Sequence, residues 1–260
     1  MKIAITGKGG VGKTTLAALL ARAFAARNLQ VLAVDADPSP CLAEALGLPS
    51  ILRDQLRPIV EMEALIEERT GAKPGASGGF FTLNPQVDDI PERFSVTYDG
   101  VMLLEMGAIT SGGSGCICPE SAMLKSLFTH LLFREDEILI LDMYAGVEHL
   151  GRATVDFVDA MLIVAEPTRR SINTARQITT LAHDLGLERL WLVGNKVRGL
   201  DDLDFLEDAS AGLPILGWMP IDPGVKEADR LGHAVYDQAV DLRRTADALC
   251  HKLLPVKESP

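Results

Sequence analysis

Short apolar runs punctuate the chain: KIAIT at residues 2–6, VLAV from Val31, ILIL from Ile138, AMLIVA from Ala160 and LWLVG from Leu190. They lack the alternation of a half-solvated strand and read as strands covered on both faces. Helical stretches lie between them. TLAALLARAFAARN follows the first run without Gly or Pro, and Cys41 to Gly71 is helical in composition. Leu124, Leu127, Phe128, Leu131 and Leu132 follow Pro119 at helical spacing, Pro167 to Leu185 reads as a helix, and Asp241 to Leu253 carries a stripe of Leu242, Ala246, Leu249 and Leu253. Phe80 to Leu83, Phe94 to Thr97 and Val101 to Glu105 read as short strands, the last two joined by a hairpin at Asp99-Gly100. Gly71 to Phe81 is a Gly/Pro/Ser-rich loop, and a last strand from Pro214 leads into a loop around Pro220. Strands alternating with helices predict an α/β fold: one domain over residues 1–260, with a doubly wound, mostly parallel sheet of about seven to eight strands flanked by helices.

The loop joining the first strand to the first helix carries the chemistry. It reads GKGGVGKTT, Gly7 to Thr15, and fills G-x-x-x-x-G-K-[ST]. Gly9, Gly10, Val11 and Gly12 can turn their N–H groups onto phosphate oxygens, and the helix beginning near Thr15 adds its positive end. Lys13 would hold the β- and γ-phosphates of a nucleotide, and the Thr14 hydroxyl would hold Mg²⁺. The bland alternative, a glycine turn that binds nothing, fits poorly between a strand and a helix. Asp35 and Asp37 lie at the carboxyl end of the second strand, where open α/β sheets bind ligands. Asp37-Pro38 would serve equally as a helix cap. Asp142 ends the Ile138 strand, where a carboxylate contacts Mg²⁺ through water.

Composition narrows the partners. The 260 residues are 47% hydrophobic and 23% charged, with a net charge of −11, which speaks against nucleic acid. No apolar run reaches the ~18 residues that span a bilayer, and a strand starting at residue 2 leaves no signal peptide to expect. Cys41, Cys116, Cys118 and Cys250 are then expected as thiols in a cytoplasmic protein. Cys116 and Cys118 stand on a glycine loop before Pro119, at a helix start that favours thiolate. Two thiolates do not complete a tetrahedral soft-metal site, but a two-fold axis near the loop would bring two more. Buried cysteines used as small apolar residues are the alternative.

Lys8, directly after the first glycine, makes the loop resemble the deviant Walker A loop of the MinD/ParA, arsenite-pump and nitrogenase iron-protein ATPases. That resemblance implies that Lys8 reaches the partner's nucleotide across a homodimer and that Asp37 orients the attacking water. It also implies that Asp35 lies near the Mg²⁺ shell and that the segment after Asp142 senses the γ-phosphate. Asn195, followed by Lys196, would read the adenine edge under the Pro220 loop. Where GTP-binding relatives have N-K-x-D, Arg198 stands in the last place and cannot accept the guanine hydrogen bonds, so ATP is expected. His149 receives no chemical role.

GGSGCICPES, DMYAGVEHLGR, LNPQVDDIP and PIDPGVKEADRLG extend the likeness over nearly the whole chain. Together they resemble the CooC-type nickel-insertion ATPases of carbon monoxide dehydrogenase. The resemblance implies an ATP-driven homodimer that holds one Ni²⁺, or Zn²⁺ in its place, between two Cys116/Cys118 pairs and serves apo carbon monoxide dehydrogenase. Neither nucleic acid nor membrane is expected as partner, given the acidic balance and a final helix without a basic face. Tyr144 stands where that pattern leads one to expect an acid. The competing readings are an iron–sulfur reductase like the nitrogenase iron protein and a MinD/ParA-type positioning ATPase.

Overall fold

The computed structural model describes residues 1–75, 80–107, 118–134, 137–144, 158–210 and 212–254. Its strands are β1 (Lys2–Gly7), β2 (Val31–Ala36), β3 (Val96–Tyr98), β4 (Val101–Glu105), β5 (Ile138–Met143), β6 (Ala160–Ala165), β7 (Leu190–Val197) and β8 (Ile215–Pro220). They form one eight-stranded sheet in the order β3-β4-β2-β5-β1-β6-β7-β8. Every neighbouring pair is parallel except the β3–β4 hairpin. β1, β2, β5 and β6 are buried along their whole length, as their unbroken apolar runs require.

The described helices are α1 (Lys13–Ala25), α2 (Leu42–Ala45), α3 (Ser50–Arg53), α4 (Glu63–Thr70), α5 (Ile90–Phe94), α6 (Pro119–Phe133), α7 (Arg169–Leu185), α8 (Leu200–Ala209), α9 (Pro223–Leu231), α10 (Val235–Gln238) and α11 (Val240–Leu253). Two apolar layers result. On one face Leu16, Leu20 and Phe24 of α1 pack with Leu242, Ala246 and Leu249 of α11 against Ile3, Ile5 and Ile140. On the other, Leu124, Leu127 and Leu131 of α6 and Ile172 and Ile178 of α7 cover Ala4, Leu141 and Ile163.

Some elements depart from the pattern. Phe80 to Leu83 is not a strand: Phe80 is fully exposed, and β3 already occupies the outer edge of β4. Phe94 ends α5 instead of opening β3, because Pro91 at the first helical turn presets helical φ. Beyond Pro220 the chain is more than a loop. Asp222 caps α9 by accepting the Gly224 N–H at 2.7 Å, with Pro223 starting the helix. The hairpin turn is as expected, with Asp99 and Gly100 at φ 46° and 79°.

Candidate nucleotide site

The carboxyl ends of β1, β2, β5, β6 and β7 converge around the loop between β1 and α1. Two glycines there have no substitute. Gly7 lies so close to β6 that an added Cβ would stand 2.4 Å from the Val164 carbonyl oxygen. Gly12, at φ 98°, would place one 2.2 Å from the Asn195 side-chain nitrogen. Gly10, at φ 78°, has open space around it.

Lys13 is buried, and its Nζ reaches back to the Lys8 carbonyl at 3.4 Å, so its ammonium lies beneath the loop. Lys8 is exposed at the tip. The end of β7 holds the loop from outside. Asn195, buried, donates from Nδ2 to the Val11 carbonyl at 2.6 Å, and its Oδ1 accepts the Lys196 N–H at 2.7 Å. Lys196, in the left-handed region at φ 58°, donates from Nζ to the Gly10 carbonyl at 2.8 Å and to Glu166 Oε1 at 2.5 Å. Asn195 and Lys196, expected beside the base, thus contact the phosphate loop in this structure. Pro220, at the end of β8, is half-buried.

Asp35 and Asp142 face the same side of the sheet, in register on β2 and β5. Asp35 accepts N–H bonds from Asp37, Cys41 and Leu42 at 2.9–3.0 Å, which winds the chain after β2 into a tight turn. Asp37, half-buried, accepts the Ser39 N–H at 2.9 Å within that turn. Asp142 is 1% exposed, and neither of its carboxylate oxygens has a hydrogen-bond partner of good geometry. Burial first, then the Asp35 charge, push its pKa up to about 7, against the pull of the nearby Thr14 hydroxyl and Lys13. A buried carboxylate whose nearest polar neighbours are a threonine hydroxyl and a lysine fits a hard divalent cation that takes oxygen ligands. Among the described residues no group of three or more His, Cys, Asp or Glu is arranged to hold a metal alone.

Cys118 sits at the N-cap of α6, 9% exposed, with Sγ 2.8 Å from the Ser121 hydroxyl. Cys116, His149 and the segment expected to sense the γ-phosphate lie outside the described residues. Tyr144 follows β5 and is half exposed. Among the described residues of this site, Glu166 is one that sequence reading passed over. Its only signal was an acid at the carboxyl end of an apolar strand, on the edge where ligands bind.

A glycine loop between β1 and α1, a lysine beneath it and an unpaired carboxylate at the end of β5 define a P-loop ATPase. The chain belongs to the CobQ/CobB/MinD/ParA nucleotide binding domain family, whose model matches residues 2–235. It is 45% identical over 254 residues to the carbon monoxide dehydrogenase accessory protein CooC of Rhodospirillum rubrum, covering 98% of this chain and 96% of that one. An uncharacterised ATP-binding protein of Methanocaldococcus jannaschii is 46% identical over 238 residues, covering 90% and 91%. The fold matches the MinD cell division protein of Aquifex aeolicus at a TM-score of 0.67 and 20% identity, over 99% of both chains.

Proposed function

We propose that this ATPase is a maturation factor that carries nickel to carbon monoxide dehydrogenase and couples ATP turnover to the metal's release. The observation that carries this reading is the likeness to CooC over 98% of the chain. The Cys-x-Cys spacing of Cys116 and Cys118 in the sequence just before α6 supports it, because paired cysteines supply the soft sulfur donors such a metal takes.

In this reading the loop N–H groups and Lys13 bind the β- and γ-phosphates. Thr14 and Asp142 hold Mg²⁺, which would offset the charge that develops on the transferred phosphoryl group. Lys8 reaches the nucleotide of the partner in a homodimer, and Asp37 orients the attacking water. Closure of the dimer on ATP brings two Cys116/Cys118 pairs together as a four-thiolate site for the cargo ion. Opening after hydrolysis releases that ion. By linkage, nickel and ATP then tighten each other's binding by the same factor. No described helix is long and apolar enough to cross a membrane, and the net charge of −11 offers nothing to DNA.

Metal stoichiometry per chain, with and without a non-hydrolysable ATP analogue, tests the reading. One nickel or zinc ion per two chains is expected, lost when Cys116→Ala and Cys118→Ala are combined. Iron with labile sulfide would replace this reading by a redox one. No metal in any state would replace it by a positioning ATPase.

A further inference from the structure

The contacts at the end of β7 carry an inference about how the phosphate loop is shaped. Successive loop carbonyls are tied down from outside: Gly10 by the Lys196 ammonium and Val11 by the Asn195 amide. In a planar trans peptide the N–H points opposite to the C=O. Holding those two oxygens toward β7 therefore turns the N–H groups of Val11 and Gly12 away from β7, onto the side where an anion would lie. The Val11 N–H makes only a long internal contact, 3.4 Å to the Lys8 carbonyl.

Lys196 cannot do this unaided. Its side chain is 47% exposed, and a free lysine in water samples many rotamers. Glu166 removes that freedom by pairing with it at 2.5 Å. The main chain at Glu166 is itself held, since its backbone N–H donates to the buried Ser171 hydroxyl at 3.0 Å at the entry to α7. An ion pair this exposed adds little to global stability, so its effect belongs to local geometry.

We propose that Glu166 and Lys196 are positioning residues for ATP binding: Glu166 holds the Lys196 ammonium on the Gly10 carbonyl, which presets the loop's N–H groups for polyphosphate. Lys196 then contributes to the triphosphate end of the nucleotide and not to its base. Inorganic tripolyphosphate, which has no base, separates the two roles.

Affinities of the full-length protein for MgATP and for magnesium tripolyphosphate are measured by calorimetry, together with the melting temperature. Lys196→Met is expected to weaken both ligands by the same factor, about tenfold, as loss of a charged hydrogen bond does. Glu166→Gln should weaken both by a smaller common factor, and should add nothing when combined with Lys196→Met. Lys196→Arg, which keeps a donor, should retain most of the affinity, and the melting temperature without ligand should stay near wild type. The proposal is overturned if ATP weakens while tripolyphosphate does not, if neither changes, if the two substitutions multiply, or if wild type fails to bind tripolyphosphate.

Discussion

Asp35 and Asp142 occupy the same register of adjacent parallel strands, both buried, yet Asp35 accepts three backbone N–H bonds and Asp142 accepts none. The difference separates a carboxylate that shapes the chain from one that awaits a cation. Without metal, Asp142 is a buried carboxylate next to another, which the Thr14 hydroxyl and Lys13 offset only in part, a source of instability. Asp142→Asn should therefore raise the melting temperature of protein free of Mg²⁺ and nucleotide, by ~5 °C at pH 8. The same variant should lose Mg²⁺-dependent ATP hydrolysis by at least ~100-fold. Scanning calorimetry with EDTA and a phosphate-release assay check both. A variant less stable than wild type would show that Asp142 is paired after all.

The loop glycines should not respond alike to alanine. Gly12→Ala forces a Cβ to 2.2 Å from the Asn195 side chain at a positive φ, so either Asn195 leaves Val11 or the turn opens. Gly10→Ala meets no atom within 4 Å and carries only the left-handed backbone strain, roughly 1–2 kcal/mol. ATP binding should be abolished in the first variant and weakened by about tenfold or less in the second. Fluorescence titration with a labelled ATP analogue gives the ratio. Equal losses would contradict the tight seat of Gly12 against Asn195.

Much of this was legible in the chain because it rests on local rules. Buried parallel strands need unbroken apolar runs, and β1, β2, β5, β6 and β7 have them. A phosphate loop needs glycines and a lysine at fixed spacing, and Gly7, Gly12 and Lys13 supply them. What escaped reading depends on distance in sequence. The Lys196 contact to Gly10 spans 186 positions, and the Glu166 pairing exists only because β6 and β7 are neighbours in the sheet. Phe80 to Leu83 has strand composition, but β3 already takes the edge of β4, and composition says nothing of which edges are taken.

Glu105 provides a pH signature independent of catalysis. It ends β4 in register with Asp35, half-buried on the same face. Burial first, then the charges of Asp35, Glu44 and Glu61, push its pKa from 4.5 up to about 7. The folded state thus holds this proton more tightly than the unfolded chain, so the contribution of Glu105 to stability falls as pH rises from about 4.5 to about 7 and is level above. Glu105→Gln removes that slope. The melting temperature of the variant relative to wild type should therefore climb through this window and then plateau, in buffer without Mg²⁺ or nucleotide. Asp142 titrates in the same range, so the pair should be compared again in the Asp142→Asn background, where the same climb is expected. Parallel curves for variant and wild type across the window would show that the Glu105 carboxyl is solvated and carries no such charge conflict.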